Sequence, residues 1–126
     1  MAAASKRLGG EQASARVTMN IYSGRPDPAW RLSDGELATL LARLDAAPDA
    51  RDKPAPTAAA LGYRGLSVTF SGGAQVEIGA GRIEIGGGAT LSDESRALER
   101  WLVETGRERI DGKAIESALA RIDKAK

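Results

Sequence analysis

The stretch LSVTFSGGAQVEIGAGRIEIG, residues 66–86, decides the fold predicted for this chain. Three short segments within it alternate apolar and polar residues, which is the period of a half-buried β-strand. Glycine-rich turns at residues 71–73 and 79–81 separate the segments, and glycine tolerates the positive φ that tight hairpins require. The stretch therefore predicts a three-stranded antiparallel meander with one apolar face.

A fourth strand is predicted upstream, in RVTMNIY at residues 16–22. Val17, Met19 and Ile21 alternate with polar residues, so they fall on one face of the strand. The opposite face of the predicted sheet is then polar and solvated. Its predicted members are Thr18, Asn20, Tyr22, Ser67, Thr69, Glu77 and Glu84.

Helix signals follow in LSDGELATLLARLDAA, residues 32–47. Ser33 and Glu36 have the spacing of a capping box, in which each side chain binds the backbone amide of the other residue. Leucines then recur at helical spacing and predict one apolar stripe. The stripe consists of Leu37, Leu40, Leu41 and Leu44.

Two further helices are predicted near the end of the chain. One follows Ser92 as its N-cap, with acidic residues in the first turn, where the helix dipole favours them. The other follows Asp111 and aligns Ile115, Leu119 and Ile122. The predicted fold class is α+β: a four-stranded, mainly antiparallel sheet in the order β-α-β-β-β-α-α, with the helices on one face.

The domain organisation predicted from composition is simple. Residues 1–14 are small and polar, which predicts a disordered N-terminus. Residues 15–126 are long enough for a single α+β domain. Residues 48–60 are rich in proline and alanine, which predicts a mobile exposed loop.

Composition excludes several function classes. The chain has 18 basic and 17 acidic residues, a net charge of +1, no histidine and no cysteine. Disulfides, thiolate or imidazole metal sites, and Cys- or His-based catalysis are therefore excluded. The charges show no basic bias of the kind that indicates nucleic-acid binding. The sequence also has no apolar segment of the kind that indicates a membrane span or a signal peptide. We predict a cytoplasmic protein without a metal or a cofactor.

The connector SGRPDPAW, residues 23–30, has two interpretations, one structural and one functional. Its two prolines fix φ and push the preceding residues toward extended geometry, so the connector is stiff. One interpretation is structural, with Trp30 closing the core and Asp27 binding nearby backbone groups. The other is a preorganised binding loop, because Trp and Arg, here Trp30 and Arg25, are enriched at binding hot spots.

A second stretch, LGYRG at residues 61–65, places Tyr63 and Arg64 between two glycines just before a strand. If both stretches lie at one end of the sheet, their side chains rim one cleft. The predicted binding residues are Arg25, Asp27, Trp30, Tyr63 and Arg64. The alternative is that Tyr63 closes the core and Arg64 is solvated.

Together, the two stretches resemble a group of small uncharacterised bacterial proteins that share an SGRP-x-P-x-W loop and an LGYRG loop. The likeness covers roughly residues 16–70. The resemblance implies no activity.

Three functions are compatible with the sequence. The first is a non-enzymatic binding or interaction module that recognises a protein, a peptide or an anionic small molecule through its arginine-aromatic loops. The second is an accessory subunit that docks through its C-terminal helix. The third is a small enzyme that uses arginine and carboxylates, which is disfavoured because the commonest general base and nucleophiles are missing.

Overall fold

The structure is a computed structural model that describes residues 3–21, 26–50, 63, 65–86 and 88–124. Within these residues it contains a two-stranded hairpin, a larger antiparallel sheet and three α-helices. The strands are β1 (Ala3–Ser5), β2 (Gly10–Gln12), β3 (Ala15–Met19), β4 (Ala29–Arg31), β5 (Leu66–Phe70), β6 (Gln75–Gly79), β7 (Arg82–Ile85) and β8 (Thr90–Ser92). The helices are α1 (Asp34–Ala46), α2 (Ala97–Thr105) and α3 (Gly112–Lys124).

The predicted α+β class and the antiparallel meander β5–β6–β7 are confirmed. The predicted four-stranded sheet is wrong, because the sheet has six strands in the order β4-β3-β5-β6-β7-β8. The additional strands β4 and β8 have three residues each. So short a strand shows almost no alternation, and its pairing is set by the neighbouring strand rather than by its own sequence.

The core lies on one face of the larger sheet. Alternate residues such as Val17, Val68 and Val76 are fully buried and belong to one hydrophobic cluster with the buried side chains of the helices. The intervening residues Thr69, Glu77 and Glu84 are exposed, so the opposite face is open to solvent. This one-sided burial agrees with the alternation in the sequence.

Helix α1 begins as predicted. The Ser33 hydroxyl accepts a hydrogen bond from the Glu36 amide at 3.2 Å, and the Glu36 carboxylate accepts one from the Ser33 amide at 2.8 Å. The predicted leucine stripe is buried throughout, at Leu37, Leu40, Leu41 and Leu44. Local sequence signals therefore determine this helix.

Helix α2 begins later than the sequence predicted. Ser92 belongs to β8 and is not the cap, and a 3-10 turn at Glu94–Arg96 precedes the α-helix. The carboxylate of Asp93 instead accepts hydrogen bonds from the amides of Leu98 and Glu99. Ser92 pairs with Arg82 of β7 and so belongs to the sheet, the N-cap residue of α2 is Arg96, and the Asp93 side chain satisfies the first helical amides.

Helix α3 follows Asp111 as predicted, and the Asp111 carboxylate accepts a hydrogen bond from the Lys113 amide at 3.0 Å. Ile115 and Ile122 are buried, and Leu119 is partly buried against the core. The apolar stripe that an accessory subunit would use for docking is therefore occupied within the chain.

Residues 3–12 form the hairpin β1–β2, which differs from the disordered segment expected at residues 1–14. The hairpin is held by polar contacts that composition does not reveal. The Ser5 hydroxyl and the Arg7 amide donate to the carboxylate of Asp45 in α1, at 2.7 and 3.1 Å. The Gln12 side chain accepts a hydrogen bond from the Gly72 amide at 2.9 Å.

The proline-alanine loop predicted at residues 48–60 lies mostly outside the described residues. Its first residues run beside the edge strand β8. The Ser92 amide donates to the Pro48 carbonyl at 2.7 Å, and the Ala50 amide donates to the Thr90 carbonyl at 3.1 Å. This segment therefore covers the β8 edge of the sheet.

Candidate functional site

The connectors that carry the predicted site both reach the end of β3. The Met19 amide donates to the Pro28 carbonyl, and the Asn20 amide donates to the Gly65 carbonyl, each at 2.9 Å. The last residue of β3 and the residue that follows it therefore bind the two connectors. This contact brings the described parts of the two stretches to the same end of the sheet.

The two aromatic residues of the predicted site are buried. Trp30 is 4% exposed and Tyr63 is 5% exposed. The indole of Trp30 donates to the Thr105 hydroxyl at 2.8 Å, and the hydroxyl of Tyr63 donates to the Glu99 carboxylate at 2.5 Å. Trp30 thus links β4 to α2, Tyr63 links the connector before β5 to α2, and neither adds appreciable apolar area to the surface.

Asp27 ties its connector to the end of β3, because its carboxylate accepts a hydrogen bond from the Ile21 amide at 3.1 Å. Arg25 and Arg64 lie outside the described residues. A joint site of these two arginines with Asp27 therefore stays a prediction.

A buried polar cluster surrounds Glu99, whose side chain is completely buried. Arg96 donates to both carboxylate oxygens of Glu99, at 2.7 and 2.8 Å, in the bidentate geometry that a guanidinium favours. Burial, followed by the negative charge of Glu99, raises the pKa of the Tyr63 hydroxyl above its ordinary value. The hydroxyl therefore remains a hydrogen-bond donor, and the cluster is internally satisfied.

Asp93 is the second buried carboxylate in this region. Its two oxygens accept hydrogen bonds from the amides of Leu98 and Glu99, at 2.8 and 3.0 Å. Burial raises its pKa, which is a common property of catalytic acids. Because both oxygens bind amides in the first turn of α2, whose N-cap residue is Arg96, Asp93 has a structural role at the start of the helix.

The backbone between Asp93 and α2 is strained. Ser95 and Arg96 both have φ of +56°, a left-handed conformation that side chains other than glycine rarely adopt. The ion pair between Arg96 and Glu99 closes the same turn. The strain at this position therefore accompanies the buried cluster and does not by itself indicate a ligand.

A shallow cavity of about 210 Å³ lies between the end of α1 and the start of α2. Arg43 borders it and also stacks on Trp101, with the guanidinium carbon 5.2 Å from the ring centroid. Within the described part of the chain, no three potential metal-ligating side chains gather together. The cavity therefore offers a small, mainly apolar surface that is bordered by charged side chains, Arg43 at the end of α1 and Asp93 and Glu94 before α2.

The open sheet face carries an unusual basic pair. Arg16 of β3 and Arg31 of β4 lie directly opposite each other. The neighbouring pair forms a ladder hydrogen bond, from the Leu32 amide to the Ala15 carbonyl at 3.0 Å. Hydrogen-bonded and non-hydrogen-bonded pairs alternate in antiparallel sheets, so the two arginines form a non-hydrogen-bonded pair. Their Cβ atoms are then at the closest spacing, about 4.5–5.5 Å.

Arg16 and Arg31 are both exposed, and neither forms an ion pair with any residue in the described ranges. Two like charges directly opposite each other destabilise a sheet. Thr69 and Gln75 continue the same row across β5 and β6, and both are exposed. The arrangement places two exposed guanidinium groups beside a hydroxyl and an amide group. We call Arg16 and Arg31 the basic pair.

Sequence reasoning missed the basic pair because it did not identify β4. A signal was present in the sequence, because the apolar residues Trp30 and Leu32 flank the charged Arg31. This alternation is that of a strand, but the two prolines just before it favoured a connector.

Comparisons of the chain with protein-family models, with curated proteins and with solved structures gave no match. None of the described helices is long and apolar enough to cross a membrane.

Proposed function

We propose that this protein is a small non-enzymatic interaction module whose open sheet face binds an acidic segment of a partner protein. The observation that carries the proposal is the basic pair, Arg16 and Arg31, exposed and directly opposed across two strands. Such a pair costs stability in the isolated chain. An acidic ligand removes that cost, because its carboxylates neutralise both guanidinium groups.

The chemistry of the basic pair suits carboxylates. A guanidinium presents a planar fork of donors that binds a carboxylate through two parallel hydrogen bonds. Thr69 lies beside Arg16 in the register and adds a hydroxyl donor. The pair sits on strands of a sheet rather than on a mobile loop, so little ordering accompanies binding.

A protein segment fits this face better than nucleic acid does. Among the residues that the structure describes, the face presents no aromatic side chain on which bases stack, since Trp30, Tyr63 and Phe70 are buried. Glu77 and Glu84 are exposed on the same face and repel a phosphate backbone. The partner therefore carries its negative charge locally, as a short acidic segment does.

Catalysis is not part of the proposal. The two buried carboxylates, Asp93 and Glu99, have all four of their oxygens engaged by the amides of Leu98 and Glu99 and by Arg96 and Tyr63. A general acid or base needs a free position within hydrogen-bond reach of the substrate.

The proposal is tested with a short oligoglutamate peptide at low salt, followed through backbone amide NMR shifts. We expect saturable shifts at Arg16, Arg31 and Thr69, and their loss in the variant Arg16→Ala/Arg31→Ala. Arg121→Ala is the matched control, because Arg121 is exposed on α3, away from the sheet. An unchanged titration in the double variant, or shifts centred elsewhere, contradicts the proposal.

A further inference from the structure

The open sheet face carries an acidic pair as well as the basic pair. Glu77 of β6 and Glu84 of β7 lie directly opposite each other and are both exposed. Glu77 accepts a hydrogen bond from the Ser67 hydroxyl at 2.5 Å. Glu84 forms an ion pair with Arg82, with 3.1 Å between a carboxylate oxygen and a guanidinium nitrogen. The Glu84 side chain still keeps 47% of its surface exposed. We call Glu77 and Glu84 the acidic pair.

The two pairs lie on opposite sides of the strand β5, each on the two strands next to it. The basic pair lies on β4 and β3, the acidic pair lies on β6 and β7, and β5 separates β3 from β6. Arg16 aligns with Thr69, whereas Glu77 aligns with Ser67, two residues along the same strand. The two rows are therefore about 7 Å apart along the strand direction.

This placement makes the face complementary to itself. A twofold axis parallel to the strands and above β5 places β3 of one copy over β6 of the other, and β4 over β7. Each basic pair then faces the acidic pair of the other copy, and the contact occurs twice, as an isologous interface requires. The long arginine side chains span the offset between the two rows.

We infer that the acidic segment bound by the basic pair is the acidic pair of a second copy of this chain, so that the protein forms a twofold dimer through its open sheet faces. This inference rests on the proposed function, because it uses the same basic pair. Charge complementarity carries it: both signs are present on one face, on strands that the twofold axis brings opposite each other.

The dimer is expected to be weak and salt-sensitive. Strands about 4.8 Å apart and about 15 Å long give a face that buries roughly 700 Å² for both copies together. Stable specific interfaces bury about 1,200 Å² or more, so this contact belongs to the transient class. Because its core is charged, ionic strength of about 0.5 M screens most of the attraction.

The test is charge reversal, measured by sedimentation equilibrium at low salt up to about 1 mM protein. One variant, Arg16→Glu/Arg31→Glu, replaces the basic pair by acidic residues, and another, Glu77→Lys/Glu84→Lys, replaces the acidic pair by basic residues. We expect the native chain to approach twice its mass of 13.2 kDa and each variant alone to stay monomeric. An equimolar mixture of the two variants is expected to dimerise at least about tenfold more tightly than either alone, because both contacts are restored.

Folding of each variant is checked by its amide spectrum, and the mixture itself shows that both variants keep a competent face. A native chain that remains monomeric at about 1 mM overturns the inference, as does a mixture that stays monomeric. The oligoglutamate titration is repeated on Glu77→Gln/Glu84→Gln, which cannot form the dimer contacts. If this variant binds the peptide and the native chain does not self-associate, the proposed function stands and only the second copy is rejected as the partner.

Discussion

Glu99 shows how a charged side chain is accommodated in the core. Its carboxylate receives two hydrogen bonds from Arg96 and one from Tyr63, which compensate the loss of water around a completely buried charge. Replacing one of these donors leaves part of that compensation missing. The contacts among Glu99, Arg96 and Tyr63 therefore determine how firmly α2 is held in place.

The variant Tyr63→Phe is expected to lower the free energy of unfolding by about 1–3 kcal/mol, because it leaves a buried carboxylate oxygen without its hydroxyl donor. Urea denaturation measures the change. The same substitution in a Glu99→Gln background completes a double-mutant cycle and isolates the interaction between the two side chains. Additive effects in that cycle would show that Tyr63 does not support Glu99.

The contacts of Asp45 predict that the N-terminal hairpin is sensitive to pH. Burial raises its pKa, but hydrogen bonds from the Ser5 hydroxyl and from the amides of Arg7 and Lys6, together with the charge of Arg7, lower it below its ordinary value of 3.8. A carboxylate whose pKa is depressed in the folded state stabilises that state above the unfolded pKa. The stabilisation is lost as the pH falls through the folded value.

We expect the amides of Lys6 and Arg7 to lose protection from hydrogen exchange as the pH falls below about 4, after correction for the intrinsic exchange rate. In Asp45→Asn this pH dependence is expected to disappear. Asp123→Asn, an exposed site on α3, serves as the control. Equal pH dependence in the native chain and in Asp45→Asn would assign the effect to another group.

At the scale of elements, the hairpin β3–β4 brings together side chains that the fold does not need side by side. The opposed pair of Arg16 and Arg31 is the clearest instance. Its cost to the sheet and its proposed use in binding make opposite demands on these two positions. Altering the pair is therefore expected to raise the free energy of unfolding and to weaken the proposed binding.

The variant Arg31→Thr is expected to raise the free energy of unfolding by about 0.2–1 kcal/mol, since it removes a like-charge cross-strand pair and introduces a residue that favours strands. Denaturation at low and high salt measures this gain, which is expected to shrink as salt screens the repulsion. A loss of more than about 1 kcal/mol instead would mean that Arg31 supports the fold.

The connection into β5 depends on Gly65. Its φ is +112°, and an added Cβ would lie 2.7 Å from the backbone carbonyl oxygen of Ile78. Gly65→Ala is therefore expected to cost at least about 2 kcal/mol in thermal or urea unfolding. Gly35→Ala is the matched control: it lies in the first turn of α1 with no atom within 4 Å, and we expect a gain of about 0.4–1 kcal/mol. Equal effects at the two sites would contradict the described backbone at Gly65.

Over the whole molecule, stability is unevenly distributed. The sheet and the helices share one continuous apolar cluster, whereas the hairpin β1–β2 contributes mainly the partly buried Leu8 and is held by polar bonds to Asp45 and Gly72. Segments with few apolar contacts open locally before the core unfolds. The hairpin is thus attached to the end of α1 by polar contacts and is not part of the apolar core.

Native-state hydrogen exchange is expected to show this division. Ladder amides of β1 and β2 should exchange through local opening, and amides of β5 and β6 only through global unfolding, with a steeper denaturant dependence. The measurement is exchange at increasing sub-denaturing urea. Identical opening free energies in the hairpin and in β5 would show that residues 3–12 fold cooperatively with the domain.

The sequence by itself determined the elements that carry their own signals. The capping box of α1, the leucine stripe and the alternating strands of the meander are patterns that can be recognised within short stretches of sequence, and the strands pair with the strand that follows next in the chain. The polar side chains of the open face also followed from strand alternation, because a period of two assigns every second residue to the same side. For these features, local propensity and burial agree.

Only the tertiary structure decided the features that depend on long-range pairing. The strands β4 and β8 exist because β3 and β7 offer them edges, and this pairing turned Trp30 inward and placed Arg31 opposite Arg16. Glu99 meets Tyr63 across 36 positions of the chain, and Asp45 meets Ser5 across 40. No local pattern encodes such partners, since a polar side chain has the same appearance in the sequence whether it faces water or a distant donor. Burial of the apolar face selects one arrangement, and the polar contacts follow from it.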